Sequence, residues 1–367
     1  MPAALAGALV AAGGPAFAAS GWSVVSIPST ATSTQLNGSF ARTDSDAWSV
    51  GIEFSSPSVP VAYRWNGTAW GLTKTQALAG NSSFNAVSAS SATDAWAVGF
   101  SQVGGDIAET LMEHWNGTAW SVDSSGNVTA DEERLNGVVD LGPGNAWAVG
   151  AFGLIMHWNG TAWSSVNVPV PNPSDTFGNN LTSITAVSAS DIWAVGEFTN
   201  TSFTNSAYAE HFNGNSWSVF ILPQPSVSGP SSPVLHGVTA VASNSVWAVG
   251  ENDEVPGVGI TTLIEHWNGT AWSIVPSPSP GGFPALNAVA ARGASDVYAA
   301  GFNDPSVNGG VQQGMILRWN GSVWSADTDP TAGTFSPLYG AATFPGAARE
   351  WGVGINSSDQ GLVLSHS

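Results

Sequence analysis

A Trp-Asn-Gly unit returns about every fifty residues along this chain, and that period restricts the fold more than any other feature. Six copies are present: WNGTAW at 65–70, 115–120, 158–163 and 267–272, FNGNSW at 212–217 and WNGSVW at 319–324. A second motif alternates with them: AWSVG at 47–51, AWAVG at 95–99 and 146–150, IWAVG at 192–196, VWAVG at 246–250, VYAAG at 297–301 and EWGVG at 350–354. Seven copies of one motif against six of the other leave one unit incomplete. The two ends of the chain complete it. GWSVVSIPS near the start matches the AWSIVPSPS that follows a Trp-Asn-Gly turn, and GLVLSHS at the end matches a third strand, with His366 at the position of the His in LMEHW. A unit split between the ends suits a closed ring, because it fastens the last unit to the first; an open solenoid gains nothing from it.

Each unit reads as four short strands. In the second they are FNAVSA (84–89), AWAVGF (95–100), TLMEHW (110–115) and AWSVD (119–123), alternating, rich in Val and Trp, and bounded by Gly, Asn, Ser and Asp. No window carries a helical period. The expectation is an all-β fold: a seven-bladed β-propeller of four-stranded antiparallel blades, with the N-terminal strand completing the C-terminal blade. Residues 19–367 then form a single domain.

The Asn-Gly pair predicts a two-residue type I′ turn at Asn116-Gly117, with Glu113 opposite Trp120. Asn-Gly-Thr/Ser also matches an N-glycosylation sequon in five copies, but a hairpin accounts for every copy. All 18 Trp fall at three repeat positions, represented in the second unit by Trp96, Trp115 and Trp120. In WAVG the Trp and Val point to one side and the Ala and Gly to the other, which suits large-against-small packing between blades.

Histidine also recurs: His114, His157, His211, His266 and His366 share one repeat position, with Arg64 and Arg318 in the other units. Two residues before the second-strand aromatic stand Asp46, Asp94, Asn145, Asp191, Ser245 and Asp296. A His–Asp pair could be catalytic. Chemistry rarely needs seven copies, so a structural hydrogen bond is the stronger reading for His114 and Asp94. No Ser nucleophile elbow, phosphate-binding Gly loop or His-Glu-x-x-His is present.

Strand parity sets the geography of the loops. The first–second and third–fourth turns share one face and keep constant spacing. The second–third loops and the connections between blades share the other. There the interval from the WAVG glycine to the next aromatic is 8 residues in the third unit and 14 to 18 elsewhere. Variable loops on a rigid scaffold carry binding. Candidate ligand-binding residues are therefore Glu197, Glu251, Asp253 and Glu254, with Phe100 and Phe302 lining the mouth. Glu251–Glu254 could offer oxygens to Ca²⁺, but no Asp-x-Asp-x-Asp-Gly loop is present and a solvated acidic loop is the stronger reading.

Composition excludes several partners. Seven Lys and Arg against 26 Asp and Glu give a net charge of −19, which disfavours nucleic acid and anionic membranes. The absence of Cys rules out disulfides, thiol nucleophiles and Cys-bound zinc. No metal or other cofactor is expected, and a monomer is. Residues 1–18 read as the apolar part of a signal peptide ending in the small-x-small site Ala16-Phe17-Ala18, although the first basic residue is Arg42. The run is too short and too rich in Gly and Pro to insert across a membrane. A secreted protein is expected.

The VWAVG strand followed by the HWNGTAW hairpin resembles tectonin-type and kelch/galactose-oxidase-like propeller repeats over about residues 21–367, and EHWNGTAW also looks like the hairpins of fucose-binding propeller lectins and the Asp-box of sialidases. The single glycine here replaces the double glycine of kelch, galactose oxidase would need a Tyr–Cys cofactor, and the Arg residues do not suit a sialidase triad. The resemblance implies architecture and no particular activity. The functional expectation is a non-enzymatic propeller that binds glycan or protein on its variable face. The alternatives are a polysaccharide-acting enzyme with carboxylates on that face and a structural surface module.

Overall fold

The computed structural model describes residues 21–367, apart from 31, 77, 103–106, 127–132, 172–177, 201–203, 226–230, 256–258, 307–309 and 332, and leaves out the side chains of Glu254 and Val255. The signal-peptide reading of 1–18 lies outside the described residues.

Seven four-stranded antiparallel sheets follow one another along the chain, spanning 34–73, 81–122, 135–165, 179–221, 232–274 and 283–326, with the seventh built from both ends. In that seventh blade the strands Leu338–Ala342, Glu350–Ile355 and Gly361–His366 are completed by Ser23–Val24, which pairs with Ser365 and Leu364. The ring is closed as the split repeat requires. Among the described residues there is no helix long and apolar enough to cross a membrane.

The Trp pattern becomes one contact repeated at every blade junction. The second-strand aromatic of each blade meets the fourth-strand Trp of the next: Trp48–Trp120, Trp96–Trp163, Trp147–Trp217, Trp193–Trp272, Trp247–Trp324, Tyr298–Trp22 and Trp351–Trp70, with ring centroids 5.0–5.4 Å apart. Most of these pairs are edge-on, the arrangement that ring quadrupoles favour. Trp96 is almost fully buried against the third blade, and Trp115 and Trp120 are buried on the other side of the second blade, against Trp48 of the first.

The glycine closing each second-strand motif answers to the backbone. In all seven blades the first and second strands slip by one residue beside it, as where Leu36 pairs with Gly51 and Gly38 with Val50, leaving Asn37 bulged. A Cβ on any of these glycines would lie 1.9–2.0 Å from a first-strand carbonyl oxygen. No side chain fits there.

Two sequence expectations are corrected. Trp115 pairs with Trp120 and Glu113 with Val122, so the hairpin loop holds four residues, 116–119. Only Gly117 has positive φ, at 96°, whereas a type I′ turn needs it at Asn116 as well. The Asn116 side chain closes the loop instead: Oδ1 accepts from Thr118 N, Thr118 Oγ1 and Ala119 N at 3.0, 2.8 and 3.1 Å.

His366 is the second correction. Trp351 pairs with Ser365, and Glu350 with His366, whereas Trp96 pairs with His114 and Ala95 with Trp115. His366 therefore occupies the position of Trp115, and Ser365 that of His114. The one-residue shift places His366 against Trp22, with centroids 5.4 Å apart, as Trp115 lies against Trp120.

Candidate functional site at the mouth of the channel

The seven first strands wall a central cavity of about 500 Å³. The bulge just described determines its lining. A bulge re-aims one side chain, and here that residue immediately follows the first-strand Leu or Phe: Asn37, Asn85, Asn136, Thr182, His236, Asn287 and Tyr339, all of them lining the cavity. First strands run from the variable face inward, so these residues ring the variable-face end of the channel.

Five of the seven donate to the next blade. Asn37 Nδ2 bonds Phe84 O at 2.8 Å, Asn85 bonds Leu135 O at 2.9 Å, Asn136 bonds Leu181 O at 2.9 Å, Thr182 Oγ1 bonds Leu235 O at 2.7 Å and Asn287 bonds Leu338 O at 2.7 Å. The result is a belt of side-chain to main-chain bonds running from blade to blade. Sequence reasoning missed it. The signal was present in LNG, FNA, LNG and LNA at fixed distance before WAVG.

The belt is interrupted at His236 and Tyr339. His236 is partly exposed, and its Nε2 lies 3.6 Å from Glu251 Oε1. Glu251 directly follows the fifth-blade glycine Gly250, and Glu197 follows Gly196 in the fourth blade. On the side facing the fifth blade, Glu197 Oε1 accepts from Asn180 Nδ2 at 2.8 Å, while Oε2 is enclosed and has no hydrogen-bond partner. Burial pushes the Glu197 carboxyl above its ordinary range; the Asn180 hydrogen bond and nearby His236 act against that, and Glu251 adds to it. Two of the candidate carboxylates, Glu197 and Glu251, thus lie near one imidazole.

The other candidates are not part of this group. Asp253 pairs with Ser232 farther along the same strand. The backbone of Glu254 belongs to that strand, but its side chain is outside the described residues. Phe100 faces the third blade, with the Arg134 guanidinium 4.6 Å above its ring. Phe302 pairs with Ala285 and Gly314 at the sixth blade. The two rings stand at different junctions. Among the described residues no three His, Asp or Glu side chains are arranged to hold a metal ion.

The His–Asp positions lie on the opposite face. His114 Nε2 is 2.7 Å from Asp94 Oδ1 and His211 Nε2 is 2.8 Å from Asp191 Oδ1; His157 meets Asn145 at 3.1 Å and His266 meets Ser245 at 3.0 Å. Each imidazole also lies on the second-strand Trp of its own blade, with centroids 4.1–4.6 Å apart. Burial lowers the pKa of His157 and His266, whose partners carry no charge. The arrangement fixes an imidazole beneath the hairpin in four blades and repeats with a different partner type, Asp, Asn or Ser, which suits a structural hydrogen bond.

No protein-family model and no curated protein matches the chain. Solved structures do. A structure described as "YCF48 bound to D1 peptide" is 18% identical, with 96% of this chain and 99% of that one covered and a TM-score of 0.60. YCF48 from Cyanidioschyzon merolae is also 18% identical, with 94% and 98% covered and a TM-score of 0.59. The WD40 β-propeller domain of Doa1 is 12% identical, with 95% and 97% covered and a TM-score of 0.60. At these identities the likeness establishes the propeller architecture, and it singles out neither kelch nor tectonin proteins.

Proposed function

We propose that this chain is a non-enzymatic binding propeller that receives a segment of another protein at the variable-face mouth of its channel. The observation carrying this reading is the interrupted belt. Five bulged residues are bonded to the next blade, whereas His236 faces Glu251 and Glu197 in an opening lined by loops of unequal length. Hydrogen-bonding groups at the end of a preformed concave site suit an extended ligand with polar side chains. One structural neighbour is described with a peptide bound, which agrees with this use of the architecture.

A glycan ligand is the second reading. It is less favoured because no Trp is among the large apolar side chains exposed in the described residues, Trp158, Trp267 and Trp319 being half-buried. Export is part of the proposal and rests on the apolar run ending in Ala16-Phe17-Ala18.

Random-peptide display on the immobilised full chain tests the reading. Selected peptides should slow amide exchange in the first strands of the fourth and fifth blades and around 197–200 and 251–253. Failure to select any peptide, or protection confined to hairpins such as 116–119, overturns it.

A further inference from the structure

Charge is divided between the two faces of the ring. Of the seven Lys and Arg residues, Arg42, Arg64, Arg292, Arg318 and Arg349 stand at strand ends on the uniform face. All five are engaged there. Arg42 and Arg64 pair with Asp46, Arg292 and Arg318 pair with Asp296 and Glu350, and Arg349 lies 5.5 Å from the ring of Trp65. The variable face keeps only Lys74 and Arg134, and Arg134 lies over Phe100. The same face carries Glu53, Glu109, Glu133, Glu197, Glu251 and Asp304. The carboxylate excess of the molecule is therefore concentrated around one mouth. A low-dielectric opening lined with one sign of charge focuses the field and attracts the opposite sign.

At that mouth, two further observations bear on what would enter. Glu197 Oε2 is enclosed and lacks a donor. His236 is the bulged residue whose ring turns toward Glu251 in place of a bond to the sixth blade. A guanidinium or ammonium group would supply the missing donor and neutralise both carboxylates. A guanidinium fits better, because its planar fork presents several donors in the geometry of a carboxylate.

We infer that the partner segment is basic, and that its Arg or Lys side chains enter the mouth at the fourth and fifth blades to meet Glu197 and Glu251. The inference rests on the peptide-binding reading and specifies its chemistry. Its test uses the full chain and four labelled probes: a dodecapeptide alternating Arg with Gly and Ser, the same peptide with Gln for Arg, the same with Glu for Arg, and a chitosan oligomer. The expected result is binding of the Arg peptide at least tenfold tighter than the Gln peptide, and weaker binding between 50 and 300 mM salt. Glu251→Gln and Glu197→Gln should each weaken it several-fold, while Asp44→Asn on the uniform face leaves it unchanged. Melting curves confirm that the variants are folded, and Glu251→Gln is the safer of the two because its carboxylate faces a partly exposed imidazole at 3.6 Å. Equal binding of the Arg and Gln peptides, or Arg binding untouched by both mouth variants, overturns the inference but leaves the peptide-binding reading standing. Binding of chitosan without the Arg peptide overturns it in favour of a cationic glycan. If display also yields no peptide at all, the broader reading falls with it.

Discussion

The indole of Trp22 packs 5.3 Å from the ring of Tyr298, so the first described strand is held against the sixth blade. Trp22 Nε1 donates to Asp327 Oδ2 at 3.2 Å. Tyr298 is fully buried, and its hydroxyl lies 3.0 Å from Ala342 O and 2.7 Å from Trp351 O of the seventh blade. One junction thus combines the aromatic contact found at every other junction with bonds that only the closing blade can receive. The strand that follows Trp22 is just Ser23–Val24, so side chains rather than ladder length fasten the ring.

Trp22→Ala should consequently destabilise the protein by about 3–5 kcal/mol, the range for deleting a large buried aromatic. Deleting residues 20–30 should cost more, since it also removes the pairing with Ser365 and Leu364. Urea midpoints for the two variants check this. An unchanged midpoint for the deletion would mean that the ring is not closed through these residues.

The architecture was legible because it is written seven times. Blade number, strand number and the split blade all follow from counting motifs, and the hydrophobic period agrees with them at each copy. Two details were not legible. The Asn116 loop misled because Asn-Gly favours a type I′ turn locally, whereas the Thr118 and Ala119 donors draw the Asn side chain into a longer turn. His366 misled because a histidine was aligned with a histidine, although the register set by Trp351 places Ser365 there. The candidate site was legible in half. Loop variation led to Glu197 and Glu251, but His236 becomes visible only when the bulge turns it into the channel.

Gly99→Ala should disrupt the second blade, because the added methyl would lie 2.0 Å from Ser83 O and the backbone cannot yield without losing its pairing. A loss of more than about 4 kcal/mol is expected, typical of severe core overpacking. Gly144→Ala is the control: a Cβ there meets nothing within 4 Å, and the change should stay within about 0.5 kcal/mol. Similar melting temperatures for the two would refute the close-approach explanation of the WAVG glycine.

Three buried third-strand carboxyls should make the protein less stable as pH rises. Burial pushes Glu113 up to about 7, with the Gln76 backbone N–H acting against it, and pushes Glu210 and Glu265 up to about 8. All three are fully buried, and neither oxygen of Glu210 or Glu265 has a partner. Their folded pKa exceeds the unfolded one, so the folded state holds more protons and stability falls between about pH 4.5 and 8. Each group contributes at most about 1.4 kcal/mol per pH unit. Glu265→Gln should remove one such slope, read from urea unfolding at pH 5, 6, 7 and 8. A parallel pair of curves for variant and parent would contradict it.

The opposite sign is expected at the closing junction. Glu350 is completely buried, with Arg318 bonded to both of its oxygens, Arg292 Nε at 3.1 Å and His366 Nδ1 at 3.2 Å. Burial pushes its carboxyl up, but the adjacent His366 and the bonded Arg318 outweigh that and hold it below its ordinary value. Its contribution is therefore present above the unfolded carboxylate range and is lost as pH falls through the lower folded value. Glu350→Gln leaves Arg318 buried with reduced compensation, and a loss of about 3–5 kcal/mol is expected at pH 7. Asp296 and Asp327 remain within 2.6 and 3.2 Å of Arg318, which argues for the lower end of that range. Changing Arg318 to Met as well should recover part of the loss, because the pair is then removed rather than broken. A double-mutant cycle by urea unfolding measures this. Strictly additive losses would mean that the two side chains do not act as a pair.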